Sequence, residues 1–340
     1  MKPEVQFLAI GTAMLLFLNA CSKSEQGAPS APSASKSPIA SAVVTTGGPV
    51  ELKAKWPVGN KYTYRMDMAQ KFVFKMAGKP MEQNVTISQT YSLTPLKERE
   101  GGGREVELEF VAMEMDFKMG EMTMSFDSKS DSDAGGNPFA GVFKKVMGSK
   151  LAMLLDGKGQ MESIPKYQEW KDSISEGSNP MTQGMLQGMY SEDTFKQLVG
   201  GSAVFPDRAL KPGETWPHKM EVGAGPLGKL AIDLQLTLKG MEARENHQCA
   251  RIESTGTLKS GGSGEAGPMG KMTIQEGTLK GVTWFDTELG AMIESASDQF
   301  MKFKMEPPDG APAPPGAAGG MSADMSQKIT VKLVELAKAK

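Results

Sequence analysis

Histidine and cysteine are almost absent from this chain, with 2 of each among 340 residues. So few histidines give little support to a histidine-rich metal site or a serine triad, and we expect His218 and His247 to be ordinary strand or surface residues. The chain also has no large excess of charge of either sign, since 38 basic and 40 acidic residues leave a net charge of −2. No basic patch stands out, so nucleic acid is not an expected partner.

Long apolar runs are missing as well. The run near the start, Phe7–Leu18, has about 12 residues, whereas a membrane-spanning helix needs roughly 20. It follows a short polar start containing Lys2 and therefore predicts a signal peptide over residues 1–20 that is removed. An uncleaved N-terminal anchor helix is the alternative.

The sequence Leu18-Asn19-Ala20-Cys21 ends this segment. It resembles the lipobox of a bacterial lipoprotein signal, in which a leucine and a small residue precede the cysteine. The resemblance implies that Cys21 is the lipidation site and that a lipid holds the chain at a membrane, which leaves Cys249 without a disulfide partner. Ser22 after the cysteine implies a place in the cell envelope at the outer membrane, facing the periplasm or the cell surface.

Residues 21–48 are rich in serine, alanine, proline and glycine and have almost no bulky apolar side chains. Such a segment cannot bury enough surface to offset the entropy lost on ordering it. We predict a disordered tether, which at about 27 residues spans roughly 30 Å.

Alternation with a period of two residues dominates the rest of the chain. It is clearest at Leu230–Leu238 and also occurs at Tyr62–Met68, Val85–Leu93 and Met122–Phe126. Because side chains at i and i+2 of a strand point to the same side, each run predicts a strand with one buried face. The parity changes near Phe110, which indicates a β-bulge. The predicted fold class is mainly β (α+β), with two related, curved, half-barrel-like antiparallel sheets and a few helices between or packed on them.

Helical spacing is found in a few short segments. Asn137 predicts the start of a helix whose apolar stripe repeats at i, i+3, i+4 and i+7 from Phe139. Asn179 and Ser191 predict the starts of two more helices, the first of them weakened by glycines. Tyr167–Ile174 predicts one or two further turns.

The two halves of the chain share four short motifs in the same order. In one of them a glycine turn leads to an aromatic residue three positions later, at Gly59–Tyr62 and Gly213–Trp216. The shared order predicts an internal duplication. The predicted organisation is a first β repeat at 49–165, a helical connector at 166–207 and a second β repeat at 208–340 that contains a mobile loop at 306–322.

This layout of a glycine turn, successive long strands and a late hairpin resembles an uncharacterised family of bacterial lipoproteins of unknown function, from about Val50 to the C-terminus. More distantly, it is similar to half-barrel carriers of lipoproteins and lipids in the cell envelope. The second resemblance implies that a concave sheet holds a lipid or an envelope protein partner. The first family has no known catalytic residues to carry over.

Methionine is abundant, with 26 residues. Met119, Met122 and Met124 form a candidate site for copper or silver, since soft Cu(I) favours thioether sulfur. The same alternation suits plain core residues, because methionine fills irregular gaps. A third interpretation is a methionine-lined concave face that adapts to an acyl chain or a partner helix.

No residues point to catalysis, and no cofactor is expected. Glu105, Glu107 and Glu109 alternate on a strand face that we expect to be solvated, whereas acid–base catalysis needs a cleft. A nucleophile elbow and a phosphate loop are both missing from the sequence. The sequence therefore predicts a non-enzymatic, membrane-anchored lipoprotein that binds an apolar ligand or an envelope partner on a concave sheet. A purely structural or interaction lipoprotein and a methionine-based copper or silver protein are the alternatives.

Overall fold

A computed structural model describes residues 48–76, 79–130, 140–178, 182–183, 186, 189–199, 204–223, 229–260, 271–306 and 321–339. Several predicted features lie outside the described residues. They are the signal peptide, Cys21, nearly all of the tether, the helix starts at Asn137 and Asn179, and most of the loop at 306–322. Within the part of the chain that the structure describes, no helix is long and apolar enough to cross a membrane.

Strands make up most of the described chain. Their bounds are Asn60–Met76 (β1), Lys79–Glu98 (β2), Arg104–Met119 (β3), Met122–Asp127 (β4), Lys150–Leu155 (β5), Met161–Ser163 (β6), Thr215–Gly223 (β7), Lys229–Arg244 (β8), His247–Ser260 (β9), Lys271–Asp286 (β10), Ala291–Glu306 (β11) and Met321–Lys338 (β12). Helices are found at Ala140–Val146 (α1), Tyr167–Ser175 (α2) and Glu192–Val199 (α3).

The predicted mainly β fold class is confirmed, since a large, curved, open antiparallel sheet carries a few helices. The four alternating segments lie in β1, β2, β4 and β8. Val111 is the extra residue of a β-bulge between β2 and β3, as the change of parity near Phe110 predicted. Helix α1 buries Val142, Phe143 and Val146, which belong to the predicted apolar stripe.

The order of the strands joins the two halves of the chain. A nine-stranded sheet has the order β10-β11-β12-β1-β2-β3-β5-β6, with β4 paired to β3, and β7, β8 and β9 form a three-stranded sheet. The sequence analysis assigned one sheet to each half, whereas the larger sheet combines strands of both, because the last strand pairs with the first. Strand β9 lies alongside β10, so closely that a Cβ on Gly277 would stand 2.5 Å from the carbonyl oxygen of Leu258.

The hairpins at the starts of the two halves share one local geometry. The backbone N–H of Gly59 donates to the carbonyl of Pro95 at 3.3 Å, and that of Gly213 donates to the carbonyl of Leu238 at 2.6 Å. Both glycines have a left-handed backbone, with φ of +82° and +86°. In each case a β-bulge follows the accepting residue directly. A duplicated hairpin would have this shared turn and bulge.

One face of the nine-stranded sheet carries most of the core. We call it the inner face, defined by the even-numbered residues of β1 from Tyr62 to Phe74; the opposite face is the outer face. At one end of the inner face, α1, α2 and α3 pack against the sheet around Phe110, whose ring centre lies 6.0 Å from that of Trp170. At the other end, Phe72 and Phe74 pack against leucines of β8. The inner face is therefore covered by helices at one end and by the smaller sheet at the other.

Candidate functional site

Three glutamines form a row across the middle of the inner face. Gln299 of β11 is the register partner of Gln327 of β12, and Gln327 is the register partner of Gln70 of β1. Their exposed fractions are only 3%, 1% and 4%. Amide groups buried this deeply are normally satisfied by hydrogen bonds. The hydrogen-bond partners of the row therefore determine how much its burial lowers the stability of the fold.

Most polar atoms of this glutamine row have no partner among the described residues. Nε2 of Gln70 donates to the sulfur of Met325 at 3.1 Å, and Nε2 of Gln327 donates to the sulfur of Met68 at 2.9 Å. Within the described chain, the Oε1 atoms of both residues and both polar atoms of the Gln299 amide find no hydrogen-bond partner. A thioether is a weak acceptor, and an uncompensated buried amide costs about 1–3 kcal/mol on protein scales. The row therefore lowers the stability of the fold in which the helices and the smaller sheet cover the inner face.

Methionine side chains surround the row on the same face. We define the methionine–glutamine belt as the buried methionines and glutamines of the inner face on β1, β2, β3, β11 and β12: Met66, Met68, Gln70, Gln83, Gln89, Met113, Met115, Gln299, Met301, Met325 and Gln327. The three inner-face rows that pass through Met68, Gln70 and Phe72 contain no charged side chain from β10 to β3. The belt is therefore a neutral surface of flexible thioethers and amides, and methionine repacks around varied shapes more readily than branched residues do.

The belt continues to a less buried edge at the β3–β4 hairpin. Met119 is the register partner of Met122, and Met124 is the register partner of Phe117. The three methionines are half-buried and share the inner face. The structure thus brings together the residues that the sequence analysis named as a candidate copper or silver site. Among the described residues, no group of three histidine, cysteine, aspartate or glutamate side chains could hold a metal ion.

The sequence analysis did not single out the glutamines, although the chain holds a signal for them. Gln70 continues the alternation of Met66 and Met68 toward Phe72, so the period of two places an amide at a buried position. Gln327 lies between Met325 and Ile329 in the same way. A polar residue that keeps the parity of an apolar run is the pattern that would have found them.

Both histidines lie in strands. His247 begins β9, and its Nδ1 lies 2.7 Å from Oδ2 of Asp286. The other oxygen of Asp286 accepts the backbone N–H groups of Glu288 at 2.8 Å and Leu289 at 2.9 Å, so this carboxylate fixes the β10–β11 turn. His218 is half-buried on β7, where burial lowers the pKa of its imidazole. The partner of His247 is a structural carboxylate that already holds a turn.

Cys249 of β9 is predicted to be chemically inert in the folded protein. It is fully buried, and burial, with a smaller effect of the Asp286 carboxylate, raises the pKa of its thiol to about 12. Because the thiolate is the reactive form, we expect iodoacetamide to leave Cys249 unmodified in the native protein at pH 8 and to alkylate it fully in urea. Peptide mass mapping separates Cys249 from Cys21. Equal labelling rates of Cys249 with and without urea would contradict this expectation.

The outer face has two adjoining depressions with a different character. Their volumes are about 350 and 280 Å³, and Glu114 and Asp116 line both. Asp67 and Lys328 line the larger depression, and Lys144 lines the smaller one. Charged side chains keep their hydration on such a surface, so it is less suited to an apolar ligand than the inner face.

Comparison with solved structures finds distant likenesses to β-sheet proteins. A structure of lipovitellin, determined to study its lipid–protein interactions, matches with a TM-score of 0.44 and 9% identity over 84% of this chain and 26% of that chain. The present chain thus spans about a quarter of the length of that protein. A protein from Bacteroides fragilis described as exported, with a YmcC-like fold, matches with a TM-score of 0.25 and 8% identity over 82% of this chain and 98% of its own.

A third likeness is to a DUF1329 family protein from Desulfovibrio piger, with a TM-score of 0.12 and 7% identity over 83% of this chain and 86% of that chain. All three TM-scores are below 0.5. A comparison with curated proteins found no match.

The sequence itself matches a family profile over residues 102–292, which is more than half of the chain. The matched region runs from the start of β3 to the start of β11 and includes α1, α2 and α3. It contains Met119, Met122 and Met124 but not the strands that carry Gln70 and Gln327. By this match, the chain belongs to the family of unknown function DUF6263.

Proposed function

We propose that this protein is a lipid-anchored lipoprotein of the bacterial cell envelope that binds an apolar ligand against the methionine–glutamine belt and catalyses no reaction. The anchor is supported by the lipobox-like sequence that ends at Cys21. Ligand binding is supported by one observation above the others, the buried glutamine row with four unpartnered polar atoms between two apolar clusters.

The unpartnered amides of the belt lower the free-energy cost of opening it toward a ligand. The unpartnered amide atoms are sealed from water in this arrangement, so a ligand reaches them only when the helices or the smaller sheet move away. Each atom that gains a partner in the open or bound form recovers part of the roughly 1–3 kcal/mol lost on burial. The flexible methionines can then repack against an acyl chain or an apolar side chain with little strain.

Adjacent residues of β4 provide a matched test. Met124 is half-buried on the inner face, whereas Thr123 is exposed on the outer face. In the full chain carrying Cys21→Ser, which cannot be lipidated there, we expect Met124→Asp to weaken binding of the apolar probe 1-N-phenylnaphthylamine about tenfold, since a carboxylate beside the probe must be desolvated. The control Thr123→Asp should leave the affinity unchanged.

Fluorescence titration with the probe measures both variants in the same background. A chain that takes up no probe, or variants that weaken binding equally, would contradict an inner-face site.

Copper or silver binding is a second candidate function, which the register of the β3–β4 hairpin favours. Met119 and Met122 face each other across the two strands, and Met124 shares their face. Thioethers are suitable ligands for Cu(I). This proposal predicts Cu(I) uptake by the reduced protein, and unchanged uptake after Met119, Met122 and Met124 are replaced together by Leu would rule the site out.

A further inference from the structure

We infer that the ligand of the belt is a neutral amphiphile, an acyl amide or acyl alcohol whose N–H or O–H groups meet the side-chain oxygens of Gln70 and Gln327. This inference rests on the proposed function and adds the chemistry of the ligand's polar group. Three observations support it: the orientation of the two amides, the lack of charged side chains around them and the unpartnered polar atoms beside them.

The orientation of the Gln70 and Gln327 amides is set by sulfur. A thioether can accept a hydrogen bond but cannot donate one. The groups that contact Met325 and Met68 are therefore the amide NH₂ groups, at 3.1 and 2.9 Å. Both Oε1 atoms are then left as acceptors, and neither has a partner among the described residues.

The two residues that carry these acceptors lie next to each other in the sheet. Gln70 and Gln327 are register partners on adjacent strands, which lie about 4.8 Å apart. Gln299 follows on the next strand and has an unpartnered oxygen of its own. A row of acceptors needs donors, and a ligand group made only of acceptors, such as an ester or a carboxylate, would face their lone pairs.

The surroundings favour a neutral donor over an ammonium group. No carboxylate lies in the inner-face rows through Met68, Gln70 and Phe72 between β10 and β3. A cation buried there would lose its hydration without a counter-charge, which costs far more than burial of a hydroxyl or an amide. Nε2 of Gln299 and Oγ of Ser297, both without partners in the described chain, can donate to a carbonyl or hydroxyl oxygen of the same ligand group.

Three probes of equal chain length separate these possibilities. Decanamide offers donors, methyl decanoate offers only acceptors, and decanoate is an anion. With the full chain carrying Cys21→Ser, displacement of 1-N-phenylnaphthylamine should show decanamide binding about tenfold more tightly than methyl decanoate, the effect of one net hydrogen bond. Decanoate should bind no better than the ester.

The double variant Gln70→Met/Gln327→Met should abolish the preference for the amide and leave ester binding intact. Gln275→Met is the control, because Gln275 is exposed on β10 and lies outside the belt. It should keep the preference. If the double variant does not fold, each single variant should reduce the preference, and two unchanged single variants would overturn the inference.

The outcomes distinguish the inference from the function on which it rests. Equal affinity for the three probes, or an amide preference that survives in the double variant, overturns the donor inference and leaves an apolar binding site. Failure of all three probes to displace the dye overturns the proposed function itself.

Discussion

Replacing Arg244 with Met is expected to destabilise the fold by about 3 kcal/mol, because it leaves a buried carboxylate without its main partner. Glu294 of β11 is only 4% exposed. Arg244 donates to its Oε2 through Nε at 2.7 Å and lies 2.6 Å from the same atom through a second nitrogen. Lys332 contributes a longer contact of 3.4 Å to the other oxygen. The remaining lysine places the expected loss at the lower end of the 3–5 kcal/mol typical of broken buried ion pairs.

The Arg244 side chain has a second stabilising contact. Its guanidinium lies 4.3 Å from the ring centre of Trp284, which is 9% exposed. A methionine can keep the packing against this ring but not the cation–π attraction. The variant therefore removes charge, hydrogen bonds and ring attraction while keeping most of the apolar contact.

Urea unfolding followed by circular dichroism measures this loss. Arg65→Met is the matched control, because the Arg65–Asp67 pair is about half exposed on each side and such a pair contributes at most about 1 kcal/mol. The double variant Arg244→Met/Glu294→Met should recover much of the stability, since an apolar pair replaces the ion pair. If Arg244→Met lowers the free energy of unfolding by no more than the control does, Arg244 is not the main partner of the Glu294 carboxylate.

Local patterns in the sequence predicted several of the strands but not the sheet that they form. Alternation identified β1, β2, β4 and β8, because one face of each strand is apolar and the other polar. The mobile loop that the sequence predicted at 306–322 overlaps the start of β12, which begins at Met321. Ala323 and Gln327 occupy inner-face positions near that start, and neither is a bulky apolar residue.

The candidate site depends on pairings that no local pattern contains. The three glutamines meet only because β12 pairs with both β1 and β11. Residues 70 and 327 are in opposite halves of the chain, and prediction of one sheet per half kept them apart. Met119, Met122 and Met124 could be placed on one face from the sequence, because a tight hairpin and the period of two settle their positions.

Replacing Gln299 with Met is expected to stabilise the protein by about 2 kcal/mol, since it removes a buried amide whose two polar atoms are both unpartnered. The residue is 3% exposed, and its register partners across β10 and β12 are Leu279 and Gln327. Methionine has nearly the same length and shape, so it fills the site without a cavity. Most substitutions at buried positions destabilise a fold, so a gain at this one would be unusual.

The gain in stability should come with a loss of ligand binding. Functional sites often retain groups that cost stability, and Gln299→Met removes a donor and an acceptor from the belt. Urea unfolding should show the higher stability, and displacement of 1-N-phenylnaphthylamine by decanamide should weaken. Gln275→Met on the exposed side of β10 is the control and should change stability by less than about 0.5 kcal/mol. A Gln299→Met variant that is less stable than the parent would mean that internal water already satisfies this amide. The glutamine row would then no longer support the binding of a ligand.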